Sequence, residues 1–396
     1  MPSLIFRKGL DLKHVVADML AENYHSQIVS QIKENEFTHR AGRLTIHLAR
    51  EFGFCYGVDR AVDYAYQTRQ RFPDQRVFLT GEIIHNPHVN EKLRAMGVQF
   101  LSDAAGGAAS PSALDGLTPD DVVILPAFGV TVAMLKELDR RGCTLVDTTC
   151  GSVLNVWKNV RRYTEGGYTS VIHGKVWHEE TQATASQAVE YGGRYLVVFD
   201  DAETEIVCDF IRRGGDSDAF LTKFRNAVSP GFDADRDLQR IGLANQTTML
   251  MSESLAMGDK LKEAMIDRWG RETIDYHYQA FDTICSATQD RQDAVVALLR
   301  ERPIDLMIVI GGYNSSNTAN LARICADAKP TFHVADPDCL VSSGEIRHRP
   351  IGSKIEVTST GWLPREGLIN VGLTSGASTP DNLVGAAVAR LAAFCT

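Results

Sequence analysis

The chain has 396 residues, 44% of them hydrophobic and 23% charged, with a formal net charge of −9. That is ordinary globular composition, which excludes collagen, coiled coil and disorder as the main architecture. The acidic balance argues against a general nucleic-acid binder or a polybasic membrane binder, yet leaves room for a small anion held by local groups. At about 150 residues per domain, two or three domains are expected.

The N-terminal stretch carries charges throughout and has no apolar h-region or small-residue cleavage site, so no secretory signal is expected. No run reaches about 18 apolar residues, so no membrane-spanning helix is expected either. A reducing cytoplasm follows as the expected location. There the eight cysteines are core filling or chemistry.

Residues 1–43 read as a peripheral arm with short helices at Val15–Ala21 and Ser26–Glu34. From Leu44 a rhythm sets in. Apolar or β-branched runs predict strands at Leu44–Leu48, Val77–Thr80, Val122–Pro126, Thr144–Asp147, Thr169–Ile172, Tyr195–Phe199, Leu306–Ile310, Thr331–Val334 and Asn370–Leu373. Helical patterns follow them at Asp59–Arg71, Pro87–Met96, Val132–Arg141, Ser152–Thr164, Glu180–Tyr191, Ser252–Trp269, Arg291–Arg300, Thr318–Ala328 and Pro380–Phe394. Alternation of this kind means βαβ units and parallel sheets. Residues 201–240, rich in Asp, Arg and Gly, show no clear period and read as a partly irregular surface insertion.

A weak internal repeat accompanies the rhythm. Cys55, Cys150 and Cys285 each sit between a strand end and a helix, the last two within Asp-Thr-x-Cys. Three similar α/β units, each offering one such loop, would converge on a pseudo-threefold axis. A lone cysteine is ordinarily a small buried hydrophobe. At helix N-termini, however, the thiolate is favoured. Three thiolates fit zinc or an iron–sulfur cluster. The lack of a fourth ligand favours the cluster, because one iron would stay open. Cys325 falls inside a helical pattern and Cys395 is penultimate, so both read as bystanders.

Two histidine loops come next, Gly81-Glu82-Ile83-Ile84-His85-Asn86-Pro87 and His173-Gly174-Lys175-Val176-Trp177-His178-Glu179-Glu180. His85 and His178 are either loop histidines with ordinary hydrogen bonds or donors to an anion. Glu180 is either a first-turn carboxylate suited to the helix dipole or a proton source. Three hydroxyl- and amide-rich turns also open helices: Asn245-Gln246-Thr247-Thr248, Gly311-Gly312-Tyr313-Asn314-Ser315-Ser316-Asn317 and Thr374-Ser375-Gly376-Ala377-Ser378-Thr379-Pro380. As a plain N-cap, any one of them needs no further function. Together with two histidines they supply the neutral donors that, with helix ends, can hold a diphosphate without a Lys/Arg cluster. No P-loop is present, and Gly311-Gly312-Tyr313 lacks the third glycine of a dinucleotide site.

From about Leu44 to Phe394 this set of motifs resembles the 4-hydroxy-3-methylbut-2-enyl diphosphate reductase family. In family order stand Gly-Phe-Cys-Tyr-Gly-Val-Asp-Arg-Ala, Ile-Ile-His-Asn, Asp-Thr-Thr-Cys, His-Glu-Glu-Thr, Asn-Gln-Thr-Thr, Thr-Ile-Cys-Ser-Ala-Thr-x-x-Arg-Gln, Asn-Ser-Ser-Asn and Thr-Ser-Gly-Ala-Ser-x-Pro. The loop Pro126-Ala127-Phe128-Gly129-Val130 and the N-terminal arm are similar to the cyanobacterial and plastid branch.

The resemblance implies a cloverleaf of three α/β domains with mainly parallel sheets around a [4Fe–4S] cluster. Its domains would be 44–149, joined by the C-terminal segment 376–396, then 150–284 with the insertion, then 285–375. Cys55, Cys150 and Cys285 would ligate three irons, and the fourth would bind the substrate hydroxyl. His85, His178, Thr247, Ser315, Ser316, Asn317 and Ser378 would surround the diphosphate or the hydroxyl end. Glu180 would relay protons from a carboxyl whose pKa is raised by low solvent access and the adjacent anion, with Thr247 connecting it to the hydroxyl. The implied partners are the allylic diphosphate and a ferredoxin- or flavodoxin-type electron donor; a homodimer is left open. Two departures stand out. Phe128 occupies a position where many members have histidine, so that diphosphate contact does not carry over, and Trp177 and Glu179 flank His178 where others have Gly and Pro. The competing readings are a non-catalytic iron–sulfur carrier or redox sensor, and a zinc-stabilised α/β binding protein.

Overall fold

The computed structural model describes residues 4–102, 111–281 and 283–394. The chain forms two compact units, one of residues 1–7, 75–81 and 99–285, the other of residues 8–74, 82–98 and 286–396. Both are α/β with mainly parallel sheets, as expected.

The first unit holds two sheets. In one, Thr144–Asp147, Val122–Leu125 and Val77–Leu79 run parallel. Ile5–Phe6 adds to one edge, and Val98–Phe100 forms the other as the chain re-enters the unit. In the second sheet the order is Tyr278–Ala280, Ile241–Asn245, Thr169–His173, Tyr195–Val198, all parallel.

The second unit is built on one five-stranded sheet, ordered Thr331–Val334, Leu306–Ile310, Ile369–Ser375, Leu44–Leu48, Thr38–Ala41. Only the last pair is antiparallel. An antiparallel hairpin of Glu345–His348 and Val357–Thr360 is separate from it. Leu306–Ile310 is buried at every position, as a parallel strand covered on both faces must be. Leu44–Leu48, read from sequence as opening the domain 44–149, pairs instead with Ile369–Ser375 and shares its core. Val384, Ala387, Val388 and Leu391 of helix Asp381–Ala393 pack into that same core.

The insertion is not irregular. Residues 201–240 contain helices Asp201–Arg213, Ser217–Phe224 and Ala234–Asp237, and the aspartates that obscure the period are their caps. Asp200, Asp216 and Asp233 accept backbone N–H groups of the first turns, satisfying donors that have no partner inside the helix. Phe210, Phe220, Phe224 and Phe232 are buried beneath them. Nor is the arm peripheral. Leu10 and Leu12 donate to Gln67 Oε1 at 3.0 and 3.1 Å, Tyr66 bonds Tyr24 at 3.0 Å, and Val29 and Ile32 join the second unit's core. Among the described residues no helix is long and apolar enough to cross a membrane.

Candidate active site

The cysteines separate into two environments. Cys143, Cys208, Cys325 and Cys339 are buried. Burial pushes their thiols up, to about 11 for Cys208 and about 12 for Cys325. Such thiols stay protonated and inert. Cys55, Cys150 and Cys285 are only partly buried. Cys55 and Cys150 are the N-cap residues of Tyr56–Arg71 and Gly151–Glu165, and neither sulfur is spent on capping. Cys285 directly precedes Ser286–Glu301. Cys395 lies outside the described residues.

In the first unit these loops are pinned to one another. Cys150 N–H donates to Ala127 O at 2.9 Å and Cys285 N–H to Thr247 O at 3.3 Å. Ser152, one residue into the helix that Cys150 caps, donates its hydroxyl to Cys285 Sγ at 3.3 Å. Thr283 of the Asp-Thr-Ile-Cys motif accepts both the backbone and the side-chain N–H of Asn245, each at 2.9 Å. The Asn-Gln-Thr-Thr turn is thereby tied to the Cys285 loop. Gln246 finishes the job. Its Oε1 accepts from Lys175 N at 3.1 Å and Thr181 Oγ1 at 3.2 Å.

His178 caps Glu179–Glu190, its Nδ1 accepting from Glu180 N at 3.2 Å. A backbone N–H can only donate, so Nδ1 carries no proton and the ring's proton resides on Nε2. Glu180 is 1% exposed, and its Oε1 accepts from Thr247 N at 2.6 Å. Burial favours the neutral acid whereas the amide favours the carboxylate. Phe128 lies edge-on to the His178 ring, centroids 5.7 Å apart. Its phenyl ring meets the imidazole through an apolar contact and carries no side-chain donor or acceptor.

In the second unit, Gly53 turns the chain into Cys55 with φ +79°, a conformation that favours glycine. Gly53 N–H donates to Ser375 Oγ at 3.0 Å, and Gly53 O accepts from Arg291 Nη2 at 2.8 Å. Arg291, 4% exposed, is the arginine of Thr-x-x-Arg-Gln, and anchoring this loop explains its presence. Cys55 N–H donates to Ala377 O at 3.2 Å, and Ala377 N–H donates to Asn317 Oδ1 at 2.9 Å. Ser378 Oγ donates to His85 O at 3.2 Å. Ser315 caps Ser316–Ala326 by accepting from Thr318 N at 3.3 Å, which leaves its hydroxyl proton to give. Asn317 is 3% exposed, and its Nδ2 has no protein hydrogen-bond partner among the described residues. A buried donor of that kind is costly unless a ligand satisfies it.

The structure therefore groups Cys150, Cys285, His178, Glu180 and Thr247 in one unit, and Cys55, His85, Ser315, Ser316, Asn317 and Ser378 in the other. Sequence reasoning misses Ser152, Gln246, Arg291 and Glu82 as supporting residues. Arg291 had a signal, being the charged residue that the motif Thr-x-x-Arg-Gln specifies by type.

Fold and loops together define an α/β protein of mainly parallel sheets that presents thiols, histidines and a buried carboxylate where strands give way to helices. The LytB protein family model matches residues 46–392. A 4-hydroxy-3-methylbut-2-enyl diphosphate reductase of Gloeobacter violaceus is 48% identical over 98% of this chain and 91% of its own length. The enzyme of the same name from a Picosynechococcus species is 46% identical over 98% of this chain and 93% of its own. A solved structure of (E)-4-hydroxy-3-methyl-but-2-enyl diphosphate reductase, described as the terminal enzyme of the non-mevalonate pathway, is 25% identical. It aligns with a TM-score of 0.53 over 87% of this chain and 98% of that one. The Plasmodium falciparum reductase structure, 20% identical over 87% of this chain and 86% of that one, shares the fold with a TM-score of 0.62. The chain belongs to the LytB protein family.

Proposed function

We propose that this chain is an iron–sulfur oxidoreductase that converts (E)-4-hydroxy-3-methylbut-2-enyl diphosphate to isopentenyl diphosphate and dimethylallyl diphosphate, the last step of the non-mevalonate pathway. The observation that carries the reading is the 48% identity, along 98% of the chain, to a reductase of that substrate. The reaction consumes two electrons and two protons, breaks one C–O bond and releases water.

Cys55, Cys150 and Cys285 would hold a [4Fe–4S] cluster. The fit rests on their partial exposure, their positions at helix starts, and the hydroxyl donor that Ser152 gives to Cys285. When bound, the cluster supplies single electrons and a Lewis-acidic iron that makes hydroxide a better leaving group. The protein groups do the rest. Asn317 Nδ2, the hydroxyls of Ser315, Ser316 and Ser378, and the rings of His85 and His178 bind and orient the diphosphate. No arginine cluster is needed, because hydroxyl and amide donors, histidine rings and helix N-termini share the charge. Glu180 delivers protons from a buried position, where the Thr247 amide holds one of its carboxyl oxygens. A carboxyl that must carry a proton at neutral pH needs a raised pKa; burial acts in that direction and the Thr247 amide acts against it. A ferredoxin- or flavodoxin-type protein in the cytoplasm is the proposed electron source. A simple electron carrier would have no use for a buried, unpartnered amide donor such as Asn317 Nδ2.

The test is anaerobic turnover of the hydroxylated diphosphate with an artificial reductant. Both product diphosphates are expected, together with iron and sulfide in the protein. Cys55→Ser, Cys150→Ser and Cys285→Ser should each lose the cluster's absorbance and activity, while Cys325→Ser keeps both. A colourless, zinc-containing protein, or a cluster that survives Cys150→Ser, would sink the reading.

A further inference from the structure

We infer that Glu82 is a positioning residue whose single carboxylate oxygen locks the His85 ring to the Asn314–Asn317 loop, presetting the spacing of the two arms that grip the diphosphate. The inference rests on the diphosphate reading above.

Glu82 Oε2 accepts from His85 Nδ1 at 2.9 Å and from Asn314 Nδ2 at 2.7 Å. Both bonds converge on one atom, although Glu82 and Asn314 lie 232 residues apart. The pair is well shielded, with side chains 11% exposed for Glu82 and 6% for His85, so neither bond is diluted by bulk water. Asn314 directly precedes Ser315, the cap of Ser316–Ala326. Its amide therefore pulls on the turn that carries Ser315, Ser316 and Asn317.

The backbones are matched to this clamp. A Cβ at Gly312 would lie 2.7 Å from His85 O, so only glycine lets the two loops approach this closely. Ser378 Oγ secures the same carbonyl at 3.2 Å. His85 is thus held at its carbonyl by one loop and at its ring by Glu82. A histidine oriented by a carboxylate loses ring-flip freedom before the ligand arrives, and the anion need not order two loops on binding.

This predicts a binding defect that depends on the acceptor oxygen and not on the charge. Glu82→Leu removes the acceptor. In the cluster-loaded enzyme its KM for substrate should rise about tenfold, the size expected when buried donors lose a partner. The Kd for inorganic diphosphate, measured by calorimetry under argon, should rise by the same factor. kcat should stay within about twofold, the pattern of lost uniform binding. Glu82→Gln keeps one carbonyl oxygen with two lone pairs and should restore both constants. Asn314→Ala removes one of the two donors and should weaken diphosphate binding by a smaller factor, with no further loss when combined with Glu82→Leu. Unchanged Kd and KM in Glu82→Leu would overturn the inference. So would a Glu82→Gln variant as weak as Glu82→Leu, since charge would then be responsible. If Glu82→Leu does not fold, an Asn314→Ala variant with wild-type affinity overturns it as well. A wild-type protein that neither binds diphosphate nor turns over substrate refutes the parent reading, a result separate from these.

Discussion

His85 and His178 each follow a strand and stand at the start of a helix, yet their Nδ1 atoms meet opposite partners. His85 Nδ1 lies against the Glu82 carboxylate, whereas His178 Nδ1 accepts the Glu180 amide. The cause is the register of the cap. In the first loop Asn86 takes the N-cap position and accepts from Val89 N at 3.3 Å, so the preceding histidine is released to a side-chain partner. In the second, Glu179 and Glu180 cannot serve as well as a short polar residue, and the histidine caps the helix itself. One residue of offset therefore decides ring chemistry. His178 donates from Nε2 as a neutral ring. His85, whose Nδ1–H is given to a carboxylate, donates from Nε2 only when both nitrogens carry protons.

The sharpest way to break this contrast is to separate chemistry from binding. If the 178 loop carries the proton and the 85 loop only holds the anion, Glu180→Gln should fall in kcat by about 10²–10⁴-fold, the usual worth of a positioned acid. The amide still accepts from Thr247 N, so local geometry and cluster absorbance should persist. Steady-state turnover under argon, read beside the visible spectrum, checks this. Near-normal kcat would remove Glu180 from the reaction and leave the two loops functionally alike.

How much of this could be read beforehand follows from which forces are local. Leu44–Leu48, Leu306–Ile310 and Thr331–Val334 are strands over the residues their sequence predicts; Leu306–Ile310, buried at every position, is a continuous apolar run, while the other two are β-branched and apolar residues interrupted by His47 and His333. Ile241–Asn245 escapes that test. Its Gly242 breaks the run, and the reason is distant: a Cβ there would lie 2.4 Å from the Tyr163 ring. The insertion hides its helices because aspartate marks both caps and loops, and only the buried phenylalanines decide between them. The site divides likewise. Cysteines, histidines and Glu180 are legible from motifs, since their chemistry is carried by the residue itself. Ser152, Arg291 and Glu82 act through partners 133, 238 and 232 residues away, and no local pattern records such a pairing.

A third histidine tests whether burial alone can set a ring's state. His333 is buried, and its Nε2 lies 3.0 Å from Gly311 O, beneath the loop that carries Ser315. Burial chiefly lowers its pKa to about 4, against the opposing Gly311 carbonyl bond. The unfolded chain takes up the proton near 6.5, while the folded chain refuses it until about 4. The contribution to stability is therefore complete above the unfolded value and is lost as pH falls from there through about 4, by a few kcal/mol in total. Urea unfolding at pH 7, 5.5 and 4 should show that loss in the wild type and a shallower one in His333→Gln. Parallel curves for the two proteins would mean that burial does not hold this ring neutral.

The smallest effect isolates the cap itself. His178→Ala leaves Glu180 N without its acceptor, which should cost about 1 kcal/mol of stability in urea titrations. His178→Asn places an amide oxygen two bonds from Cβ, where Nδ1 stood, and should recover that loss. Substrate affinity should fall in both, because neither residue presents a donor at the Nε2 position. At the other loop the outcome is inverted. His85→Ala and His85→Asn should be equally stable with respect to the cap, since Asn86 already supplies it, and only Asn86→Ala should show the capping loss. If His178→Asn is no more stable than His178→Ala, the histidine is not the cap and the offset between the two loops is not what sets their ring chemistry.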